Sequence, residues 1–188
     1  MIRPMTRTLP RIVLAALLSV APIVLTIVAL ITPTPAAAIT AGHPAPSIAS
    51  SVWLNSEPLT MAALRGKVVL VEFWTFGCYN CRNVEPYIKQ WHHDYNQQGL
   101  VVIGVHAPEF SFEKSLSNLK AYIAEHRIEY PVAVDNDFDI WHAWHNRAWP
   151  TLYLVDRQGM VRYQRIGEGG YETTAAVIRR LLAEKVAP

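Results

Sequence analysis

Cysteine is scarce in this chain: its 188 residues include two, Cys78 and Cys81. That excludes a disulfide framework holding a small core together, and it leaves no second pair to complete a four-thiolate zinc site. Excess charge of either sign is also lacking. The formal net charge is +2, and setting aside Arg3, Arg7 and Arg11 leaves 14 basic against 15 acidic side chains. Such a balance carries no electrostatic footprint for nucleic acid. No internal repeat is visible, and an uncharged run of membrane length occurs once, from Ile12 to Ile31.

That run has the order of an export signal. Three arginines precede it, and the small residues Ala36 and Ala38 follow as an Ala-x-Ala cleavage site. The run is also long enough to cross a bilayer, although Pro22 interrupts it, so residues 1–38 are either a cleaved signal peptide, the favoured reading, or an uncleaved N-terminal anchor. Both place the chain from Ile39 onward outside the cytoplasm, because the arginines stay on the inner side. The Pro-, Ala- and Ser-rich residues 39–50 read as a linker, and 51–188 as one domain.

The two cysteines stand as Cys78-Tyr79-Asn80-Cys81, right after the apolar run from Lys67 to Trp74. A strand that ends in a turn and opens a helix puts the first sulfur at the helix N-terminus. Unpaired N–H groups and the dipole there favour thiolate, which makes Cys78 a nucleophile. Cys81, one turn further on, can attack a mixed disulfide and release the partner. Two other readings stay open. A structural disulfide across so short a loop would stabilise only weakly, and a metal site would have to recruit histidines.

Hydrophobic periodicity gives the remaining elements. Val52–Leu54 reads as a short strand, Leu59–Leu64 as a helical turn, Lys67–Trp74 as a buried strand and Cys78–Gln98 as a helix stopped by Gly99. Leu100–His106 is a second buried strand, followed by a helix over Phe112–His126, a strand over Pro131–Val134 and a helix over Asp137–Trp144. Thr151–Val155 and Val161–Ile166 flank the turn Asp156–Gly159 as a hairpin, and an amphipathic helix over Tyr171–Lys185 closes the chain. The fold class is α/β, a mixed central sheet flanked by helices, with the cysteines at the carboxyl edge of a strand.

Three separated features make the chain from Ser51 to Ala187 resemble the thioredoxin superfamily. They are the strand leading into Cys78 and Cys81, Pro86 five residues beyond, and Trp149-Pro150-Thr151 just before a strand. An inserted strand-helix segment from Pro108 to Val134 is similar to that of the TlpA/ResA group. The stretch from Gly104 to Lys114, with Asp135-Asn136 and Gly167–Gly169, looks closer still to the thioredoxin-like domain of DipZ-type proteins. Gly77, where many relatives have tryptophan, and Trp149, where many have a small or β-branched residue, depart from the pattern.

The resemblance implies roles. Glu72 falls where thioredoxins carry a buried acid that takes the proton from Cys81; its other reading is a glutamate on an edge strand, facing water. Glu109 falls where the insertion carries a second acid near the disulfide, or else is a solvated loop residue. Pro150 would be cis and present the backbone of Trp149 to an extended client. Trp149, Thr151, Trp74 and Phe76 would line the client-binding face, although Trp74 reads equally as core. His142 and His145, three apart, could share a helix face as metal ligands, but the surrounding tryptophans suggest a packed aromatic surface.

The expected function is an exported thiol-disulfide oxidoreductase, more a reductase than an oxidase, with no cofactor beyond the Cys78–Cys81 pair. Its partners would be exported proteins with disulfides, apocytochrome c thiols included, and a membrane electron donor of the CcdA or DsbD type. A copper chaperone using both thiolates and a histidine is the alternative, disfavoured by the two-residue spacing. A thiol peroxidase would need an arginine- and threonine-rich pocket, for which only Thr75 and Arg82 stand near.

Overall fold

The structure, a computed structural model, describes residues 42–185. The expected leader, residues 1–38, lies outside the described residues. The elements run β1 (Trp53–Leu54), β2 (Val68–Trp74), α1 (Tyr79–Tyr95), β3 (Leu100–His106), α2 (Leu116–Glu125), β4 (Val132–Val134), α3 (Asp139–Ala143), β5 (Thr151–Val155), β6 (Val161–Ile166) and α4 (Tyr171–Ala183). They form one sheet in the order β1-β4-β3-β2-β5-β6. Strands β2, β3 and β4 are parallel, whereas β1, β5 and β6 run antiparallel to their neighbours. This is the expected mixed sheet.

All seven residues of β2 are buried, which is why its sequence is a continuous apolar run rather than an alternating one. Successive side chains point to opposite faces. Val68, Leu70 and Trp74 pack with Cys81, Val84 and Ile88 of α1, while Val69, Val71 and Phe73 pack with Ile140, Trp141 and Trp144 around α3. Glu72 is in step with Leu70 and Trp74, so it lies on the α1 face of a central strand. The edge-strand reading of Glu72 is thereby corrected. Phe73 has Trp141, Trp144 and Tyr153 at 5.8, 6.0 and 5.7 Å between ring centroids. The tryptophans around His142 therefore turn inward, leaving His142 and His145 exposed.

Several boundaries differ from the periodicity. The α1 helix ends at Tyr95, a 3-10 turn over Asn96–Gln98 follows, and Gly99 stops it at φ 102°. In place of the expected helical turn over 59–64, residues 61–66 form hydrogen-bonded turns, Leu64 N–H donating to Thr60 at 3.2 Å, because so short a piece cannot repay helix nucleation. The helix expected over Phe112–His126 splits into a 3-10 turn, Ser111–Lys114, and α2. Between them Ser115 is extended, and its Oγ accepts from Asn118 N–H at 3.3 Å. From residue 42 the expected linker is packed. Val161 N–H donates to His43 at 2.8 Å, Ala45 N–H to Gly159 at 2.9 Å, and Ile48 is buried against the α3 face.

The short α3 helix depends on one acid. The Asp135 carboxylate is buried and accepts the N–H groups of Ile140 at 3.0 Å and Trp141 at 2.8 Å, two of the helix's unpaired donors. Asp135→Ala should cost about 2 kcal/mol in urea unfolding, the upper range for a helix cap. His142→Ala, on the exposed side of the same helix, should stay within about 0.5 kcal/mol; equal costs for the two variants would rule out the cap.

Candidate active site at the start of the first helix

The chain leaves the sheet at Trp74, and four residues later Cys78 caps α1. Its backbone is extended (φ −75°, ψ 118°), its N–H donates to Thr75 at 3.3 Å, and its sulfur accepts the Cys81 N–H at 3.3 Å. Both thiols are free, Cys78 half-buried and Cys81 buried. The two titrate as a pair. Cys78 is lowered to about 7, first by the hydrogen bond from the Cys81 thiol, then by the backbone N–H groups of Cys81 and Asn80, against burial and the charge of Glu109. Cys81 is pushed far up, first by that same shared proton and then by burial. One thiolate, on the outer sulfur, is the arrangement a nucleophile followed by a resolving thiol requires.

Glu72 lies behind the pair, 2 % exposed, and its pKa is raised to about 8 by burial first and then by the charge of Glu85; the Tyr130 hydroxyl, donating at 3.4 Å, opposes this. The Glu72 charge in turn raises Cys81. Glu85, buried one turn beyond Cys81, accepts from Tyr122 Oη at 2.8 Å, Lys89 Nζ at 2.9 Å and His126 Nδ1 at 3.2 Å, tying α1 to α2. His106, at the end of β3, is held neutral by burial, its pKa lowered to about 4, with Nε2 3.3 Å from the Thr75 hydroxyl.

Pro150 sits in a cis Trp149–Pro150 bond. The pairing of Phe73 with Thr151 sets it beside the end of β2, and so beside the turn that leads to Cys78. Of the four residues expected on the client face, two do not reach it. Thr151 is fully buried and its hydroxyl donates to Ala148 at 2.8 Å, so it braces the loop. Trp74 is 3 % exposed within the core. Phe76 and Trp149 are half-buried, the first stacked on His106 and Tyr122, the second donating Nε1–H to Ala107 at 2.9 Å.

Glu109 is exposed and reaches Cys78 only through its charge. The buried acid of the insertion is Glu113, at 1 % exposure, which the sequence reading passed over. Its Oε1 accepts the Gly77 N–H at 2.6 Å, and its Oε2 accepts the N–H groups of Glu109 and Phe110, both at 2.7 Å. An acid three residues into a turn, reaching back to the residue that opens it, is half of a capping box, the one sequence signal available. A separate cavity of about 500 Å³, lined by His43, Trp144, His145, Arg147, Tyr153 and Gln164 among others, includes neither cysteine.

The Glu72 shift has a pH signature. The folded state keeps this proton up to about pH 8, whereas the unfolded chain releases it near 4.5. Folded protein thus binds more protons across that window, and stability falls as pH rises through it. Glu72→Gln removes this slope and should be more stable than the parent at pH 8 by about 2–4 kcal/mol, with little difference near pH 4. Parallel urea-midpoint profiles for the two proteins would mean that Glu72 is already ionised at neutral pH.

Comparison with known proteins places this geometry. The AhpC/TSA family pattern matches residues 41–164. The chain is 44% identical over 133 residues to protein DipZ of Mycobacterium tuberculosis, covering 69% of this chain but only 19% of that protein, so it spans about a fifth of the length of that relative. It is 30% identical over 132 residues to the thiol-disulfide oxidoreductase YkuV of Bacillus subtilis, covering 70% of this chain and 88% of YkuV. Among solved structures, a thioredoxin-like superfamily protein matches with a TM-score of 0.71 at 29% identity, over 77% of this chain and 99% of that one. A thioredoxin-like protein solved in its oxidized form matches at 0.69 and 30%, over 76% and 96%. With its cysteine pair at the mouth of α1 and its mixed sheet, the chain belongs to the AhpC/TSA family, and within it to the thioredoxin-like thiol-disulfide oxidoreductases.

Proposed function

We propose that the protein is an exported reductase of disulfides in extracytoplasmic proteins. The observation that carries the direction is the Cys78 thiol, lowered only to about 7. A strong oxidant stabilises its reduced form with a thiolate several units more acidic, whereas a thiol near neutrality belongs with reducing dithiols. Burial first and then the charge of Glu109 keep Cys78 from falling further, and burial with a smaller contribution from Glu72 raises Cys81. A protein client is favoured over a small molecule by the rim of the site, where Tyr79, Phe110 and Phe112 are 68%, 51% and 54% exposed.

In the catalytic cycle the Cys78 thiolate attacks a client disulfide, forming a mixed disulfide and releasing one client thiolate. Cys81 then loses its proton to Glu72 in its ionised form, which is populated as pH approaches the Glu72 pKa of about 8, and attacks Cys78 Sγ. The client leaves with both sulfurs reduced, and the Cys78–Cys81 disulfide forms. Two electrons must return from outside the chain. The leader, which puts the domain in an oxidising compartment, and the resemblance to the DipZ-type domain both point to a membrane carrier of the CcdA or DsbD type as donor. A peroxidase reading gains nothing from the site, since the Thr75 hydroxyl faces His106 and Arg82 stands 6.0 Å over the Tyr79 ring.

Equilibration of the pair against glutathione should give a potential below about −220 mV, and a value above about −150 mV would assign an oxidant. Cys81→Ser should accumulate covalent, dithiothreitol-releasable adducts with exported proteins, while Cys78→Ser should form none. Adducts on Cys78→Ser instead would exchange the roles of the two sulfurs.

A further inference from the structure

The turn between the sheet and the nucleophile, Thr75-Phe76-Gly77, is held from one side at all three residues, Thr75 by the end of β3 and Phe76 and Gly77 by the insertion. Thr75 meets His106, and Phe76 packs edge-on against Phe112 at 5.7 Å and is stacked on Tyr122 at 5.6 Å. Gly77 gives its N–H to Glu113. The last contact is the tightest. Glu113 is buried, with both carboxylate oxygens occupied, one by the active-site turn and the other by the loop at Glu109 and Phe110. A Cβ on Gly77 would fall onto the Glu113 carboxylate, with the Phe112 ring at 3.3 Å. Gly77 has no positive φ, so the backbone would accept alanine; the glycine is required by the carboxylate against it.

We propose that Glu113 is a positioning residue for the thiol-disulfide reaction: its carboxylate clasps Gly77 to the 107–113 loop and thereby fixes where α1 begins and where Cys78 sits. The inference rests on the reading of Cys78 as the attacking thiol. No other side chain among the described residues hydrogen-bonds the Gly77 N–H, and a buried carboxylate meeting three N–H donors is a strong, charge-assisted anchor. Glutamine replaces only one of the two acceptor oxygens, so its amide must set an NH2 against either the Gly77 N–H or the N–H groups of Glu109 and Phe110. With the clasp gone, the turn can shift against the first turn of α1, and Cys78 loses its alignment with the Cys81 and Asn80 N–H groups and with the Cys81 thiol.

The test is the pH dependence of Cys78 alkylation by iodoacetamide, on the full chain, for the parent, Glu113→Ala, Gly77→Ala and the double variant Glu113→Ala/Gly77→Ala, each with a thermal melt. Both single variants should move the alkylation midpoint upward from about 7 toward the ordinary thiol range near 8.5. At pH 7 the thiolate fraction then falls about fifteenfold while each thiolate becomes about fivefold more nucleophilic, a net slowing of about threefold. The double variant should be no worse than either single one, because the added methyl group occupies the space the carboxylate vacates. Midpoints that stay at the parent's value while only the melting temperature drops would reduce Glu113 to a scaffold residue and overturn the proposal. Additive midpoint shifts in the double variant would also overturn it, since the two residues would then act independently. A parent protein with no thiol titrating between about pH 6 and 9 would instead remove Cys78 as the nucleophile, a failure of the functional reading visible before any variant is compared.

Discussion

One proton shared between two sulfurs governs this site. The hydrogen bond from the Cys81 thiol is the largest influence on Cys78, outweighing both burial and the nearby acid. It requires Cys78 at the helix cap and Cys81 one turn below, facing the core, and that spacing is fixed by where β2 ends and α1 begins. The strand is buried on both faces and paired on both sides, so it cannot slide without exposing a full set of apolar side chains. The reactive sulfur is thus placed by a fully buried strand paired on both sides.

Carboxylates surround this pair, and they limit how acidic it becomes. Glu109 raises Cys78 from the solvent side, and Glu72 raises Cys81 from below. Glu72 in turn feels Glu85, which α2 holds through Tyr122 and His126. A helix N-terminus alone would favour a more acidic thiolate. Here the Cys81 hydrogen bond and the backbone N–H groups act against burial first and then the charge of Glu109, and the balance leaves a thiol lowered to about 7. Glu72, with its pKa raised to about 8, stands behind the second sulfur as the proposed acceptor for the resolving step, in which Cys81 must ionise inside the core.

The insertion does more than lengthen the path between β3 and β4. It supplies the hydrophobic rings of Phe112 and Tyr122 against Phe76, the buried Glu113 against Gly77, and Tyr130 against Glu72. It touches the site above the sulfurs and below them. The cis-proline loop closes the other side, braced by the Thr151 hydroxyl and by the Trp149 indole on Ala107, the first residue past β3. The turn before Cys78, the buried Glu72 and the cis-proline loop are therefore each contacted by a residue between positions 107 and 130.

Local patterns revealed most of the elements, because a continuous apolar run of seven and an amphipathic stretch closed by glycine leave few choices. The cysteine pair and its chemistry were legible for the same reason, since a helix N-terminus acts within a few residues. Boundaries were less legible: Gly99 ended the helical stretch, but α1 gave way to a 3-10 turn after Tyr95, Ser115 split one helix in two, and packing drew residues 42–50 onto the hairpin, α3 and β4. The sequence by itself determined that two sulfurs meet at a strand-to-helix junction. Only the tertiary structure decided that Thr151 and Trp74 are buried, that Glu72 faces α1, and that Glu113 rather than Glu109 is the buried acid of the insertion. Burial and hydrogen-bond pairing between residues 36 apart depend on which segments the sheet order brings together, and no window of local sequence contains that.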